Sequence, residues 1–324
     1  MKVIFMGTPE FSVGTLEALI RAGHQVVLAV TQPDRAKGRG GKVQESPVKE
    51  AAKRHGIPVF QPERIRKPEA VEELRKYQAD VMVVIAFGQI LPGEVLEMTP
   101  YGCINVHASL LPDYRGAAPI QWAILDGRKV SGVTTMQMDE GLDTGDMLLK
   151  EEVVLDKKET GGSLHDKLAQ IGADLCVRTL EALETGQIEG EKQPKESPTD
   201  YARMLDKAMG KVDWSQTARA IEQKIRGLNP WPAAWTMWKG KLLKIWEGEV
   251  LSSKDLLREE DPSAHLPGEV VTAGKDGLVV QTGEGRILIR ELQLAGKRRM
   301  ATEEFLRGVT LQEGEILGEK EAER

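Results

Sequence analysis

Residues Asp80–Ala86, DVMVVIA, are the most continuous apolar run in the chain. A run of this kind reads as a strand buried on both faces, and such a strand needs further layers above and below it. The preceding segments supply them. Lys2–Met6 is a second short apolar run, closed by a turn at Gly7-Thr8-Pro9, after which Phe11, Leu16, Leu19 and Ile20 recur at helical spacing as far as Gly23. Gln25–Thr31 is again β-branched and apolar, and Gly102–Val106 is a further strand. Pro47–His55 reads as a helix with Ser46 as its cap and Pro47 at its first position. Strands and helices alternating at this rhythm imply right-handed crossovers and a largely parallel sheet. Val130–Met138 and Asp146–Leu155 follow one another with no helix between them, so an antiparallel addition is expected, and a long helix covers 162–183.

The pattern then changes. Glu189–Asp200 (EGEKQPKESPTD) is charged, holds two prolines and no apolar residue, the profile of an exposed linker. Trp214–Leu228 looks helical. Short strands follow at Leu242–Trp246, Gly268–Thr272, Leu278–Thr282 and Ile287–Leu292, with Lys275-Asp276-Gly277 and Gly283-Glu284-Gly285 as turns. The expected organisation is therefore an α/β domain over 1–188, a linker over 189–207, a small β-barrel of the oligonucleotide-binding kind over 208–310, and an acidic tail over 311–324.

Composition narrows the class of protein. At 324 residues, 40% hydrophobic and 29% charged, with a net charge of −6, the chain has the make-up of a globular protein with a core. No apolar run approaches the ~20 residues of a membrane-spanning helix. The first residues lead straight into a strand with no signal-peptide layout, and two cysteines cannot form a disulfide framework, so a cytoplasmic location is expected.

Three segments carry chemistry. Asn105-Val106-His107-Ala108-Ser109-Leu110-Leu111-Pro112 starts at the carboxyl end of a parallel strand, where ligands sit in open α/β sheets. Period-two alternation puts Asn105 and His107 on one side, an amide donor beside an imidazole that exchanges protons near neutrality. Met138–Asp146 joins two strands with three aspartates and two glycines. It reads as a solvated loop, or as a source of a carboxylate for the imidazole; EF-hand and zinc spacings are absent, and no metal is expected. The connection 31–42 (TQPDRAKGRGGK) carries Arg35, Lys37, Arg39 and Lys42 with no acid after Asp34, which suits either a solvated loop or contact with a phosphate backbone. Residues 201–310 add 18 Lys and Arg against 15 Asp and Glu, including Lys297-Arg298-Arg299. Gly7 alone does not make a dinucleotide fingerprint, and a tight turn is the competing reading.

Together these segments resemble the methionyl-tRNA formyltransferase family, within the wider group that uses 10-formyltetrahydrofolate. The resemblance is carried by IFMGTPEF (4–11), the TQPDRAKGRGGK loop, SPVK (46–49), ADVMVVIAFG (79–88), GCINVHASLLPDYRGAAPI (102–120), GVTTMQMDEGLDTGDM (132–147), NPWP (229–232) and LQLAGKRRM (292–300). It implies a Rossmann-like catalytic domain followed by a barrel like an oligonucleotide-binding fold. It further implies a catalytic trio of Asn105, His107 and Asp143, and folate contacts at Ser109, Leu110, Leu111 and Pro112, with Phe87, Gly88 and Asp139 beside them. Contacts to tRNA are implied for Arg35, Lys37, Arg39, Lys42, Lys207, Lys297 and Arg298. Met204 departs from the pattern, since some relatives carry lysine there. The expected reaction is transfer of the formyl group of 10-formyltetrahydrofolate to the methionine amine of initiator Met-tRNA, by a monomer. Three alternatives stay open: formylation of an amino sugar nucleotide, hydrolysis of the formyl donor, and a catalytically silent tRNA-binding module.

Overall fold

The computed structural model describes residues 1–37, 42–251, 265–275 and 277–318. They fall into two compact units: Met1–Pro119, Val130–Leu155 and Leu164–Arg203 make the first, and Ile120–Lys129, Asp156–Ser163 and the chain from Met204 make the second. Among the described residues no helix is long and apolar enough to cross a membrane.

In chain order, β1 (Lys2–Gly7) and β2 (Gln25–Val30) flank α1 (Glu10–Arg21). The basic connection then folds as a hairpin of β3 (Arg35–Lys37) and β4 (Lys42–Gln44), followed by α2 (Pro47–Arg54) and β5 (Val59–Phe60). Helix α3 (Pro68–Arg75) leads to β6 (Val81–Ile85) and α4 (Gly93–Leu96) to β7 (Cys103–His107). After α5 (Pro119–Leu125) come β8 (Val130–Gln137), β9 (Met147–Val154) and α6 (Gly161–Glu184). Seven of these strands form one sheet in the order β5-β2-β1-β6-β7-β8-β9. The first five are parallel, and β8 and β9 add the expected antiparallel edge. Every residue of β6 is buried, which is what its unbroken apolar sequence requires of a central strand. Ile4, Met6, Leu28, Val30, Met82 and Val84 pack as one cluster on this sheet. Helix α2 starts where its cap predicts, with the Ser46 hydroxyl accepting from Lys49 N at 3.1 Å.

The turn after β1 is tight: a Cβ at Gly7 would lie 2.8 Å from Ser12 Cβ, while Ser12 Oγ donates to Ile85 O at 2.8 Å. This is the geometry of a close strand-to-helix junction.

The second unit contains α7 (Ala218–Gly227), β10 (Ala234–Trp238), β11 (Lys241–Leu251), β12 (Val270–Gly274), β13 (Gly277–Gln281), β14 (Arg286–Leu294), β15 (Met300–Ala301) and α8 (Thr302–Gly308). Its strands pair antiparallel in the order β10-β11-β14-β13-β12, with β15 on β14. The expected antiparallel β domain is therefore present. Among the described residues strands β10 and β12 do not pair directly; residues 314–318 run between them, Val270 N donating to Glu315 O and Gly318 N to Met237 O, each at 2.8 Å. The expected tail therefore does not begin at 311: Leu311 and Leu317 are part of this unit's core. The helix expected from Trp214 begins only at Ala218. Trp214 is instead a core residue whose Nε1 donates to Thr236 Oγ1 at 3.1 Å, and Asp213 takes the Ser215 N–H in a turn that precedes the Thr217 cap.

Candidate active site

Strand β7 ends at the site. Asn105 pairs across to Met136 and His107 to Thr134 on β8. The His107 ring is 7% exposed, with Nε2 3.0 Å from Tyr114 O. A carbonyl only accepts, so Nε2 carries the proton and donates it. In the neutral ring the lone pair is then on Nδ1, which lies 3.8 Å from Asp143 Oδ1.

Asp143 comes from the loop between β8 and β9. That loop leaves β8 beside the start of β7, where Met138 N donates to Cys103 O at 2.8 Å. It then doubles back along β7 until Asp143 Oδ2 accepts from Gly116 N at 2.9 Å. Asp143 sits at φ 56°, in the left-handed region. Glycine is required at 145, where a Cβ would lie 1.8 Å from Gln137 O. The Asp139 carboxylate is used inside the loop, accepting from Gly141 N at 3.0 Å and from Thr144 Oγ1 at 2.9 Å. Among the described residues the half-buried Asn105 amide makes no side-chain hydrogen bond, leaving its N–H groups available beside the imidazole. Cys103, on the same strand, has its thiol pushed up to about 12 by burial and stays protonated.

The run after His107 is clasped by one buried threonine. Thr134 Oγ1 donates to Ser109 O at 2.7 Å and accepts from Leu111 N at 3.0 Å. Ser109 Oγ donates to Asp113 O at 2.6 Å. A bulge in the β8–β9 register between Thr134 and Met136 accompanies this clasp, as bulges do where a strand must re-aim a side chain. Gly132 lets Leu110 lie against β8, since a Cβ there would come within 2.5 Å of Leu110 Cδ2. Ser109, Leu111 and Phe87 are buried, whereas Leu110, Pro112 and Gly88 are at least partly exposed. A cavity of about 100 Å³ lies nearby, walled by Gln89, Ile90, Leu91, Met136, Met138 and the run Asp139–Asp143. Ile90 and Leu142 at this cavity are 74% and 59% exposed, an unusual amount of bare apolar surface beside a polar loop.

The first unit's sequence matches the formyl transferase family over residues 1–180, and the formyl transferase C-terminal domain matches 204–310. A methionyl-tRNA formyltransferase from Lachnospira eligens is 55% identical over 98% of this chain and 100% of its own length. One from Agathobacter rectalis is 54% identical over 97% of this chain and 98% of its own. The chain belongs to the methionyl-tRNA formyltransferase family. Its chemistry is therefore formyl transfer. A solved N-formyltransferase from Helicobacter canadensis, in complex with folinic acid and dTDP-3-aminofucose, shares the fold at TM-score 0.63 and 18% identity, over 89% of this chain and 98% of its own.

The basic residues are more dispersed. Arg35 is exposed, with Nη2 donating to Gln32 Oε1 at 3.4 Å. The base of its hairpin is anchored: Lys49 Nζ reaches Asp34 Oδ2 at 2.5 Å, and Gln61 Nε2 donates to Asp34 Oδ1 at 2.7 Å. Lys37 pairs with Lys42 through the backbone, their side chains lie outside the described residues, and so does Arg39 entirely. In the second unit Lys207 and Lys297 are exposed, and Arg298 is paired with Glu304. Met204, the departure from the family pattern, is 75% exposed.

Sequence reasoning missed three groups at the site: Thr134, the cavity residues Gln89 to Leu91, and Gln193. Thr134 is one of two adjacent threonines in a strand, and nothing local marks which one turns inward to the loop. Ile90 had a signal, an apolar residue in a loop at a strand's carboxyl end.

Proposed function

We propose that this chain transfers the formyl group of 10-formyltetrahydrofolate to the free amine of methionine on initiator Met-tRNA, giving N-formylmethionyl-tRNA. The carrying observation is the convergence of Asn105, His107 and Asp143 at the end of β7, in a chain at least 54% identical over nearly its whole length to relatives bearing that name.

The apolar walls of the cavity, with Gln89 and Asp139 among its polar lining, suit a flat heteroaromatic ligand such as a pterin, and in this reading Leu110, Pro112 and Gly88 extend that surface. Ser109, Leu111 and Phe87 support it from beneath. When bound, the folate supplies an electrophilic formyl carbon and a nitrogen leaving group. The Asn105 amide supplies an N–H donor for the negative charge that develops on the formyl oxygen. Asp143 Oδ1 accepts the proton of the attacking amine, directly or through water, because its other oxygen is committed to Gly116 N. His107, its Nε2 fixed by Tyr114 O, shares the donor role or, having taken up a proton at Nδ1, delivers it to the departing nitrogen.

In this reading residues 1–188 carry the chemistry and 208–310 grip the tRNA through Lys297 and Arg298, with 189–207 joining them. Arg35, Lys37, Arg39 and Lys42 meet the acceptor end, and Lys207 adds to the grip. The enzyme works as a cytoplasmic monomer. The test is formylation of charged initiator and elongator Met-tRNA in parallel with 10-formyltetrahydrofolate. Strong preference for the initiator supports the proposal; equal formylation keeps the chemistry and removes the role of the basic hairpin; none moves the reading to another acceptor or to hydrolysis.

A further inference from the structure

Residues 181–203 lie between the two family matches, and within them Glu189–Asp200 has the composition of a linker. Gln193 is nevertheless half-buried and bonded at both ends of its amide. Its Nε2 donates to Asp143 O at 2.9 Å and to Gly145 O at 2.8 Å. Its Oε1 accepts from Arg115 Nε at 2.9 Å. The remaining Arg115 nitrogens donate to Pro194 O at 2.8 Å and Lys195 O at 3.3 Å, so this buried guanidinium binds the segment through three oxygens. Only a primary amide has two donors for a pair of carbonyls and an acceptor for the arginine within one side chain of this length.

The clasp falls where the loop is least favourable by itself. Asp143 is a non-glycine residue in the left-handed region, a strained conformation that persists only when its surroundings hold it. Its carboxylate is oriented by one backbone donor, Gly116 N, and that donor follows directly after Arg115. Gln193 therefore fixes the loop twice, by tying the carbonyls on either side of Thr144 and by tying Arg115, whose neighbour holds the carboxylate. The Asp143–His107 gap depends on both.

We propose that Gln193 is a positioning residue for formyl transfer that acts through Asp143 without touching substrate; this rests on the role given to Asp143 above. Gln193→Glu is the discriminating variant. It keeps side-chain length and the Arg115 contact, and it replaces the donor with an oxygen that faces two carbonyls. Losing two hydrogen bonds that set geometry should lower kcat by about ten- to a hundredfold, with KM for tRNA and for folate within about twofold; the melting temperature falls by several degrees as well, so the split between kcat and KM is the deciding readout. In an Asp143→Asn background the same substitution should cost no more than about a further twofold, because both changes remove one function. Gln193→Leu, which also drops the arginine contact, should show the same kcat loss with lower stability. A Gln193→Glu enzyme at wild-type kcat beside a crippled Asp143→Asn would overturn this proposal alone. So would a loss that adds in full to that of Asp143→Asn. Wild-type turnover in Asp143→Asn would instead overturn the reading of the trio, and this proposal with it.

Discussion

Thr134→Val isolates the clasp beneath the His107–Pro112 loop. The two side chains have the same shape, and Thr134 is fully buried, so the substitution changes hydrogen bonding and little else. It removes the bond to Ser109 O at 2.7 Å and the bond from Leu111 N at 3.0 Å. Each backbone group is left buried without its partner, at about 1–3 kcal/mol apiece, which places the total near 3 kcal/mol if the loop relaxes in part. For a unit of this size that corresponds to a fall in melting temperature of about 6–12 °C. Thr134→Ser keeps both bonds and loses one methyl group, about 1 kcal/mol. Calorimetric melts of the three proteins, with folate affinity measured alongside, give the comparison. Valine should be the more damaging change in both stability and folate binding. Equal losses for serine and valine would mean that the methyl group, not the hydroxyl, holds this loop, and the argument for a hydrogen-bonded clasp would fail.

Asn105→Ala should raise the barrier by on the order of 2.7–4 kcal/mol, a hundredfold to thousandfold in kcat, by analogy with the loss of one oxyanion donor. Turnover within about fivefold of wild type would remove the amide from the mechanism. Asp34 is held below the usual carboxylate range by its hydrogen bonds from Lys49 and then Gln61. Its contribution to anchoring the basic hairpin is therefore complete above that range and is lost as pH falls through the lowered value. The protection of the Arg35–Lys37 and Lys42–Gln44 amides, each exchange rate taken relative to the intrinsic rate at the same pH, should fall on acidification in the wild type, and Asp34→Asn should show the low protection at every pH; a wild-type profile that follows the variant's contradicts this. Burial pushes the thiols of Cys103 and Cys176 up to about 12, so both should resist alkylation at pH 8 in the native protein and react once it unfolds. Labelling that precedes unfolding would show that the pocket around either thiol opens.

Most of what the sequence makes legible comes from periodicity. A strand buried on both faces has to be apolar throughout, and β6 is. Side chains two apart on a strand share a face, so alternation alone pairs Asn105 with His107. Asp143 is legible only as a carboxylate in a loop of the right family pattern, because nothing in DEGLDTGDM says that the loop doubles back along β7. Helix α3 escapes the sequence reading although Pro68 stands at its first position, since its apolar stripe of Ala70, Val71 and Leu74 is too short to register as periodic. The sequence misplaces the helix start at Trp214 because a tryptophan fits a helical stripe and a barrel core equally well. Gln193 leaves no trace at all. It stands between Lys192 and Pro194 in a charged stretch, and its contacts are hydrogen bonds to residues about fifty and eighty positions away.

That contrast has a physical origin. Burial of apolar area is additive along a segment and repeats with the geometry of the backbone, so it writes a pattern into the sequence. Hydrogen bonds that set the angle of a single carboxylate are local in space, spread along the chain, and need only one side chain each. In this fold the residues proposed to bear the chemistry stand on β7 and its facing loop, as the resemblance implies. The residues that hold the adjoining loops, Thr134 at Ser109–Leu111 and Gln193 with Arg115 at Asp143–Gly145, are ordinary polar types whose roles emerge only when the groups they bind are known. A segment composed like a linker can therefore be part of the active site's framework, and substitutions there are expected to act on kcat before they act on binding.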